Sequence, residues 1–449
     1  MKSKKIFAML TAAALCLTVS SCGGNESEQV PETAAAETTA EGKKIIKLTA
    51  YGMNSDYKTA VNDFNKTNDE YEIEVTDNFS LDKSDSLTLL NLEIISGNAP
   101  DIVSTYGLPM ESYAEKGLLA DFYDFIDSDP EMSRNDFLEN IFKACEINGG
   151  LYENITYFYL NIISGKQSIA GEMQGRTSDD FIDLAEKYPD KKFMDWQFTK
   201  DYTFGFFMMR GWESFVDKDT GKCDFCNERF YRILKFSNTF PDKVDDSYRL
   251  EPNWRRNEAD DLRNEKTLFA SYGMSAIVSD FYSLRKLEDQ VFGENAAVIG
   301  YPYAEGNGAI INVDNFYSVF ENSPVKEGAW EFLRYFYTDE YQKELIFNSD
   351  AFPVKRSALE FAAEDAKRGF YQSYLEDYSD AFSPNTDEDN QRIIDLVEGA
   401  ACRRDDTSEN FVYNIILEEA EMYFSGQRPV GETAEIIQNR VQNYLDENR

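Results

Sequence analysis

The sequence predicts an α/β protein built on open sheets with helices on their faces. Three observations carry that expectation. First, residues 44–107 run as an apolar stretch, an amphipathic stretch, an alternating stretch, a second helical stretch and a third apolar run, the β-α-β-α-β succession of a helix-covered sheet. Second, the chain is 42% hydrophobic and 14% aromatic, rich enough in core-forming side chains to exclude disorder. Third, no internal repeat is apparent and no low-complexity linker interrupts the chain beyond residue 43. Its 449 residues hold two or three domains at about 100–200 residues each, joined in one compact body by several crossings.

The elements follow in order. "KKIIKLTAYG" (43–52) is β-rich and ends in glycine. "SDYKTAVNDFNKTN" follows, with Ser55 as N-cap and Tyr57, Val61 and Phe64 on one helical face. "YEIEV" alternates as a strand, and "DSLTLLNLEIISGNAP" is a helix ending near Gly97 with Pro100 beyond it. "DIVSTYG" is the third strand. "NGGLYENITYFYL" holds a turn and a strand. "TSDDFIDLAEKYP" is a helix capped by Thr177 or Ser178, with Phe181, Leu184 and Ala185 on one face. "NERFYRILKFSNTF" buries Phe230, Ile233 and Leu234. "GMSAIVSDFYSL" is a strand running into a helix, and "NAAVIGYPYAEGNGAIINVDNFYSVF" reads as strand, glycine-rich loop, strand. The helix "EGAWEFLRYFY" carries Trp330 in a core pattern, and two amphipathic helices close the chain.

The formal charge is −37, a field that repels polyanions, so nucleic acid is not a partner. The absence of histidine excludes Ser-His-Asp and Cys-His catalysis and His-ligated zinc. A two-carboxylate glycosidase survives that filter. "MKSKK" and the short apolar run after it form a secretory signal over residues 1–21, too short to span a bilayer. "VSSC" at residues 19–22 resembles a bacterial lipobox, which makes Cys22 the lipidated first residue of the mature chain. Loss of Lys2, Lys4 and Lys5 with the signal takes the charge from −37 to −40. Residues 22–43 read as a flexible tether. Cys145, Cys223, Cys226 and Cys402 remain, open to three pairings. "DKDTGKCDFCNE" has acids near calcium-loop offsets but a misplaced glycine, so it reads as a hairpin turn before a helix. No metal and no cofactor is expected.

The ordered motifs "SGNAPDIVSTYG", "YAEKGLLADF", "GLYENITYFYLN", "VIGYPYAEGNGAII", "VKEGAWEFLRYFYTDEYQ", "FPVKRSALE" and "YFSGQRPVGETAEIIQNRVQNYL" together resemble the extracellular solute-binding proteins of carbohydrate-type ABC importers, the class that includes maltose-binding proteins. The resemblance covers almost the whole chain after residue 43. It implies a two-lobed, type II-like periplasmic-binding-protein fold with three hinge crossings. Residues 44–154 and 303–355 would form lobe 1, and 155–302 and 356–449 lobe 2. It implies no catalytic residue. It further implies a monomer that captures a carbohydrate, an oligosaccharide above all, by lobe closure and delivers it to ABC permease subunits while a lipid anchor holds it on the outer face of the membrane. A carbohydrate-active hydrolase and a glycan sensor or adhesin on the same fold are the alternatives.

Sugars present apolar C–H faces and rings of hydroxyls, which suit aromatic faces and amide or carboxylate side chains respectively. Strand-end loops are where such groups meet a ligand in open α/β sheets. The candidates on such loops and on the crossing segment are Tyr51, Asn54, Tyr106, Tyr157, Phe281, Tyr282, Tyr301, Tyr303 and Asn307; Trp254, beside Arg255 and Arg256 in the polar stretch "EPNWRRNEAD", and Tyr413, near the start of a C-terminal helix, join them.

Overall fold

A computed structural model describes residues 36–78, 83–96, 98–171, 173, 175–194, 198–217, 220–244, 254–274, 287–313, 316–348, 351–368, 385–403 and 411–447. The signal segment, Cys22 and most of the tether lie outside the described residues. So do Phe281 and Tyr282, and the side chain of Trp254. Residues 36–43, expected as the end of the tether, fold back along the first strand. There Ile45 N–H donates to the Glu37 carbonyl at 2.8 Å, and Lys47 pairs with Glu37 at 2.6 Å.

The described strands are β1 (Lys44–Ala50), β2 (Tyr71–Asp77), β3 (Ile102–Ser104), β4 (Tyr157–Lys166), β5 (Val216–Asp217), β6 (Lys222–Cys223), β7 (Ala270–Met274), β8 (Ala296–Val298), β9 (Ile310–Asn312), β10 (Tyr317–Val319), β11 (Phe352–Pro353) and β12 (Cys402–Arg403). The described helices of eight or more residues are α1 (Ser55–Thr67), α2 (Lys83–Ile95), α3 (Ser178–Lys187), α4 (Lys200–Gly211), α5 (Glu228–Ser237), α6 (Trp254–Arg263), α7 (Lys326–Leu333), α8 (Asp339–Asn348), α9 (Arg356–Ala366), α10 (Asp387–Gly399), α11 (Phe411–Phe424) and α12 (Val430–Glu447).

The first sheet has the order β10-β3-β1-β2. Strand β1 pairs in parallel with β2 and β3, and β10 closes the far edge antiparallel to β3. Ile46, Leu48 and Ala50 of β1 are buried on one face, as alternation requires of a strand with one face on a core. Helix α1 covers that face with Tyr57 and Val61 buried. Its N-cap is Asn54, one residue before the expected Ser55, and the Asn54 carbonyl oxygen accepts from Tyr57 N–H at 3.0 Å. Asn and Ser cap equally well; the residue that keeps extended backbone takes the role, and here that is Asn54. A full capping box of Thr177 and Asp180 starts α3.

The second sheet is organised by β4, whose ten residues pair in turn with β11, β9, β7 and β8, all antiparallel. Strand β12 adds in parallel to β9. Phe158, Leu160 and Ile162 of β4 belong to one hydrophobic core and Ile163 to another, so this strand carries the chain from core to core. The segment between β8 and β9 makes the return: Ile299 lies in the second core, and Ala309 and Ile311 in the first. The third change of core falls later than the expected boundary at 355. Ala358, Leu359 and Ala362 of α9 and Ile393 and Val397 of α10 pack in the first core, and the second resumes at Val412.

The second core is dominated by phenylalanine. Phe181, Phe206, Phe207 and Phe269 are buried together, with Phe181 and Phe206 edge to face at 5.6 Å and 87°. Each such pair adds about 1 kcal/mol beyond its buried area. Around the acid-rich segment, β5 and β6 form a hairpin in which Asp217 accepts from Thr220 and Gly221 N–H; Asp219 is outside the described residues.

Gln342 on α8 ties these parts together. Its side chain is fully buried, and its amide donates to the carbonyls of Thr156 (2.7 Å) and Phe336 (2.8 Å). Its carbonyl oxygen accepts from Val354 (2.9 Å) and Lys355 (3.2 Å) N–H. One side chain thus satisfies four buried backbone groups: one just before β4, one in the turn after α7 and two just after β11.

Candidate functional site

The parallel strands of the first sheet deliver their C-terminal ends, and the loops after them, to one edge. This is the edge where open α/β sheets bind ligands. The loop after β1 is held from beneath by the carboxylate ending β2: Asp77 accepts from Gly52 N–H at 2.9 Å and Met53 N–H at 3.3 Å. Gly52 sits at φ +78°, a turn that a side chain would strain. Anchored this way, Tyr51 stacks on Tyr106, the second residue after β3, with centroids 5.1 Å apart and planes 9° from parallel. Tyr106 keeps 48% of its surface exposed. Asn54 stands in the same loop, its carbonyl oxygen engaged in capping α1.

Tyr157 opens β4 beside this edge, edge to face with Phe316 (5.3 Å) and Tyr159 (5.7 Å). Buried Tyr317 lies close to both Asp77 and Tyr157. Burial first, and then those two neighbours, push its phenol well above the usual range. Buried polar atoms collect where the chain crosses. Among the described residues Asn154 Oδ1, Thr156 Oγ1 and Asn312 Oδ1 have no hydrogen-bond partner, an uncommon state for buried polar atoms. Beneath them Glu153 forms an ion pair with Arg403 of β12, whose carbonyl accepts from Arg210 of α4.

The remaining candidates divide. The Tyr301 hydroxyl meets Ser271 Oγ at 3.1 Å, and its ring packs on Phe206. Tyr303 takes a left-handed φ of +60° and hydrogen-bonds Ser178 Oγ at 2.8 Å. Asn307 donates from its side chain to the Leu396 carbonyl (2.7 Å) and from its backbone to Gly399 (2.9 Å), so it clasps the glycine loop to the end of α10. That approach is close: a Cβ on Gly306 would stand 2.2 Å from the Gly399 carbonyl oxygen. Tyr413 is buried in the second core on α11. Asp77, Phe316 and Tyr159 adjoin the candidate edge without having been singled out in the sequence; the acid closing "YEIEVTD" is the one with a readable signal.

A family model of bacterial extracellular solute-binding proteins matches residues 59–369. The chain belongs to that family. No curated protein sequence matches this solute-binding protein, but solved structures do. It is similar to the sugar-binding protein MalE from the phytopathogen Xanthomonas citri, with 15% identity over 90% of this chain and 98% of that one and a TM-score of 0.54. It is similar to a cyclic alpha-maltosyl-1,6-maltose binding protein from Arthrobacter globiformis, at 14% identity, 90% and 100% coverage and a TM-score of 0.51. An ABC substrate-binding protein from Listeria monocytogenes in complex with cycloalternan gives 15%, 90% and 99%, and 0.50. These likenesses establish the two-lobed α/β fold. Among the described residues of this family member, no helix is long and apolar enough to cross a membrane.

Among the described residues, no disulfide joins any of Cys145, Cys223, Cys226 and Cys402. Burial pushes Cys145 up to about 12 and Cys223 up to about 11. Exposed Cys226 is raised too, by partial burial and then by the charges of Glu435 and Asp224. A raised thiol is neutral at pH 8 and a poor nucleophile. In a soluble form of the solute-binding protein starting after Cys22, a maleimide at pH 8 should label Cys226 first and Cys145 only on unfolding. Peptide mass mapping against time checks the order.

Proposed function

We propose that this solute-binding protein is the lipid-anchored, extracellular binding component of an ABC importer and captures a carbohydrate by lobe closure. The observation that carries the reading is the Tyr51–Tyr106 stack, half exposed at the strand ends, in a chain whose crossing segments also hold buried, unpartnered polar atoms. A flat aromatic surface is what the apolar face of a sugar ring requires, and polar groups with unused hydrogen-bonding capacity suit its hydroxyls. Cycloalternan, held by the Listeria monocytogenes protein, and cyclic alpha-maltosyl-1,6-maltose, for which the Arthrobacter globiformis protein is named, are carbohydrates, which supports the class and not the particular sugar.

Tyr51, Tyr106 and Tyr157 would face the sugar from the first lobe. Tyr301 and Tyr303, and Trp254, Phe281 and Tyr282, would face it from the second, while Asn54, Asn307 and Tyr413 act through the scaffold. In this reading the lobes divide where the hydrophobic cores change, along β4, between Ile299 and Ala309, and between Ala400 and Val412. A ligand contacting both lobes stabilises the closed state by its differential affinity, and no step on this path needs covalent chemistry. The test is a thermal-shift and calorimetric screen of the mature chain against a glycan library. Stabilisation by a neutral oligosaccharide is the expected result; none by any glycan overturns the carbohydrate assignment, and turnover of a glycan overturns the binding one.

Anchoring is tested separately. Cys22→Ser should release the protein into the medium, read by fractionation and immunoblot, with ligand affinity unchanged. Retention on the membrane would mean that Cys22 is not the attachment point.

A further inference from the structure

On the helical side of the first lobe, α1 and the segment from α7 to α8 enclose a groove of about 590 Å³. Along α1 it is lined from Asp56 to Asn68 at every third or fourth residue, a stripe about 18 Å long at about 1.5 Å per residue. Its rim carries Asp56, Glu331 and Glu344. Among the described residues, no lysine or arginine pairs with any of the three. Arg334, the one cation in the lining, is already held by Asp129 and Glu131.

Two tyrosines make this more than an acidic surface. Tyr335 keeps 42% of its surface exposed within the groove. Its phenol is raised first by burial and then by Glu344, Glu340, Asp63 and Asp56, and Glu344, Asp63 and Asp56 line the same groove. Tyr341 is only 7% exposed yet lines the groove, and no described residue hydrogen-bonds its hydroxyl. Burial and then Asp56, which lines the same groove, hold that phenol up. An exposed aromatic face, carboxylates without a cationic partner in the same groove and a tyrosine hydroxyl oxygen able to accept form a receptor for a cation that also donates hydrogen bonds. A guanidinium or ammonium on a chain fits those three requirements together.

We infer that this groove docks an Arg- or Lys-bearing segment of a partner protein. The length of the stripe favours a segment over a small amine, since 18 Å takes about five extended residues at about 3.3 Å each. The inference is independent of the carbohydrate reading, because no groove residue belongs to the strand-end site.

The test uses the mature chain and a fluorescent hexa-arginine amide at about 0.15 M salt, followed by anisotropy. Asp56→Asn with Glu344→Gln should weaken binding about tenfold. Tyr335→Ala should weaken it about threefold, and Tyr335→Phe should restore it. The exposed acids Asp124 and Glu360 serve as the charge-matched control; Asp124→Asn with Glu360→Gln should change binding less than about twofold. Equal weakening by the control pair would mean that only bulk charge attracts the peptide and would overturn the proposal. Spermidine binding as tightly as the peptide, with the same dependence on variants, would make the groove a small-amine site and also overturn it. Carbohydrate stabilisation measured on the same variants should be unchanged, so failure of either reading is seen apart from the other.

Discussion

Gln342→Leu should lower the stability of the mature chain by at least about 3 kcal/mol. The substitution keeps the volume of the side chain and removes all its hydrogen bonds. It leaves the Thr156 and Phe336 carbonyls and the Val354 and Lys355 N–H groups buried and unsatisfied, at about 1–3 kcal/mol for each that cannot relax toward water. Water cannot readily substitute, since Gln342 is fully buried in the segment joining β4, α8 and β11. In urea the expected change is a drop of about 1 M or more in the unfolding midpoint, at about 2–3 kcal/mol/M. Gln342→Glu sets a carboxylate oxygen against the Thr156 and Phe336 carbonyls in a fully buried position and should destabilise at least as much at neutral pH. Because Thr156 adjoins Tyr157, the leucine variant should also bind ligand less tightly at temperatures where it remains folded. A midpoint shift under about 0.3 M would mean that the four backbone groups find other partners.

The parts of the fold carried by local signals were legible in the sequence. Thr177 and Asp180 form a capping box three residues apart, and Phe230, Ile233 and Leu234 are buried as their spacing requires. Trp330 lies in the core as its helical pattern predicts, and its indole N–H donates to Asp129 at 3.1 Å. What was not legible depends on which segments meet. Gln342 sits in "DEYQKELIF", where a polar residue reads as surface; its burial follows only from the packing of α8 under two crossing segments. The apolar face of α9, Ala358, Leu359 and Ala362, has the same periodicity whichever lobe it covers, so the third change of core could not be placed from pattern alone.

The candidate site divides the same way. The Tyr51 and Tyr106 positions followed from strand ends, because two strands parallel to one another must present their C-terminal loops at one edge. Tyr413 did not follow that logic. It is on α11, which packs against both α4 and α12, so a residue near the start of the helix is taken into the core. Asn307 has the composition of a ligand-binding loop residue, yet its amide is committed to the Leu396 carbonyl. A sequence gives the residue type a site needs but not whether its hydrogen-bonding capacity is already used.

Tyr106→Ala should reduce carbohydrate affinity about 10- to 100-fold while changing stability by less than about 1 kcal/mol. The stability term is small because the ring is half exposed and its truncation opens no enclosed cavity. The affinity term is large because a sugar face seated on the ring buries apolar area on both partners, at about 25 cal/mol per Å². A loss of about 1.4–2.8 kcal/mol corresponds to that range. Tyr51→Ala should cost a similar amount, and the double variant less than the sum of the two. The rings lie 5.1 Å apart and nearly parallel, so each orients the other and their contributions couple. Tyr106→Phe, which keeps the face and loses only the hydroxyl, should bind within about threefold of the parent. The measurement is calorimetric titration with whichever glycan gives the largest thermal shift. A Tyr106→Ala variant that binds that glycan within about twofold of the parent would remove the stack from the site and move the search to Tyr157 and the second lobe.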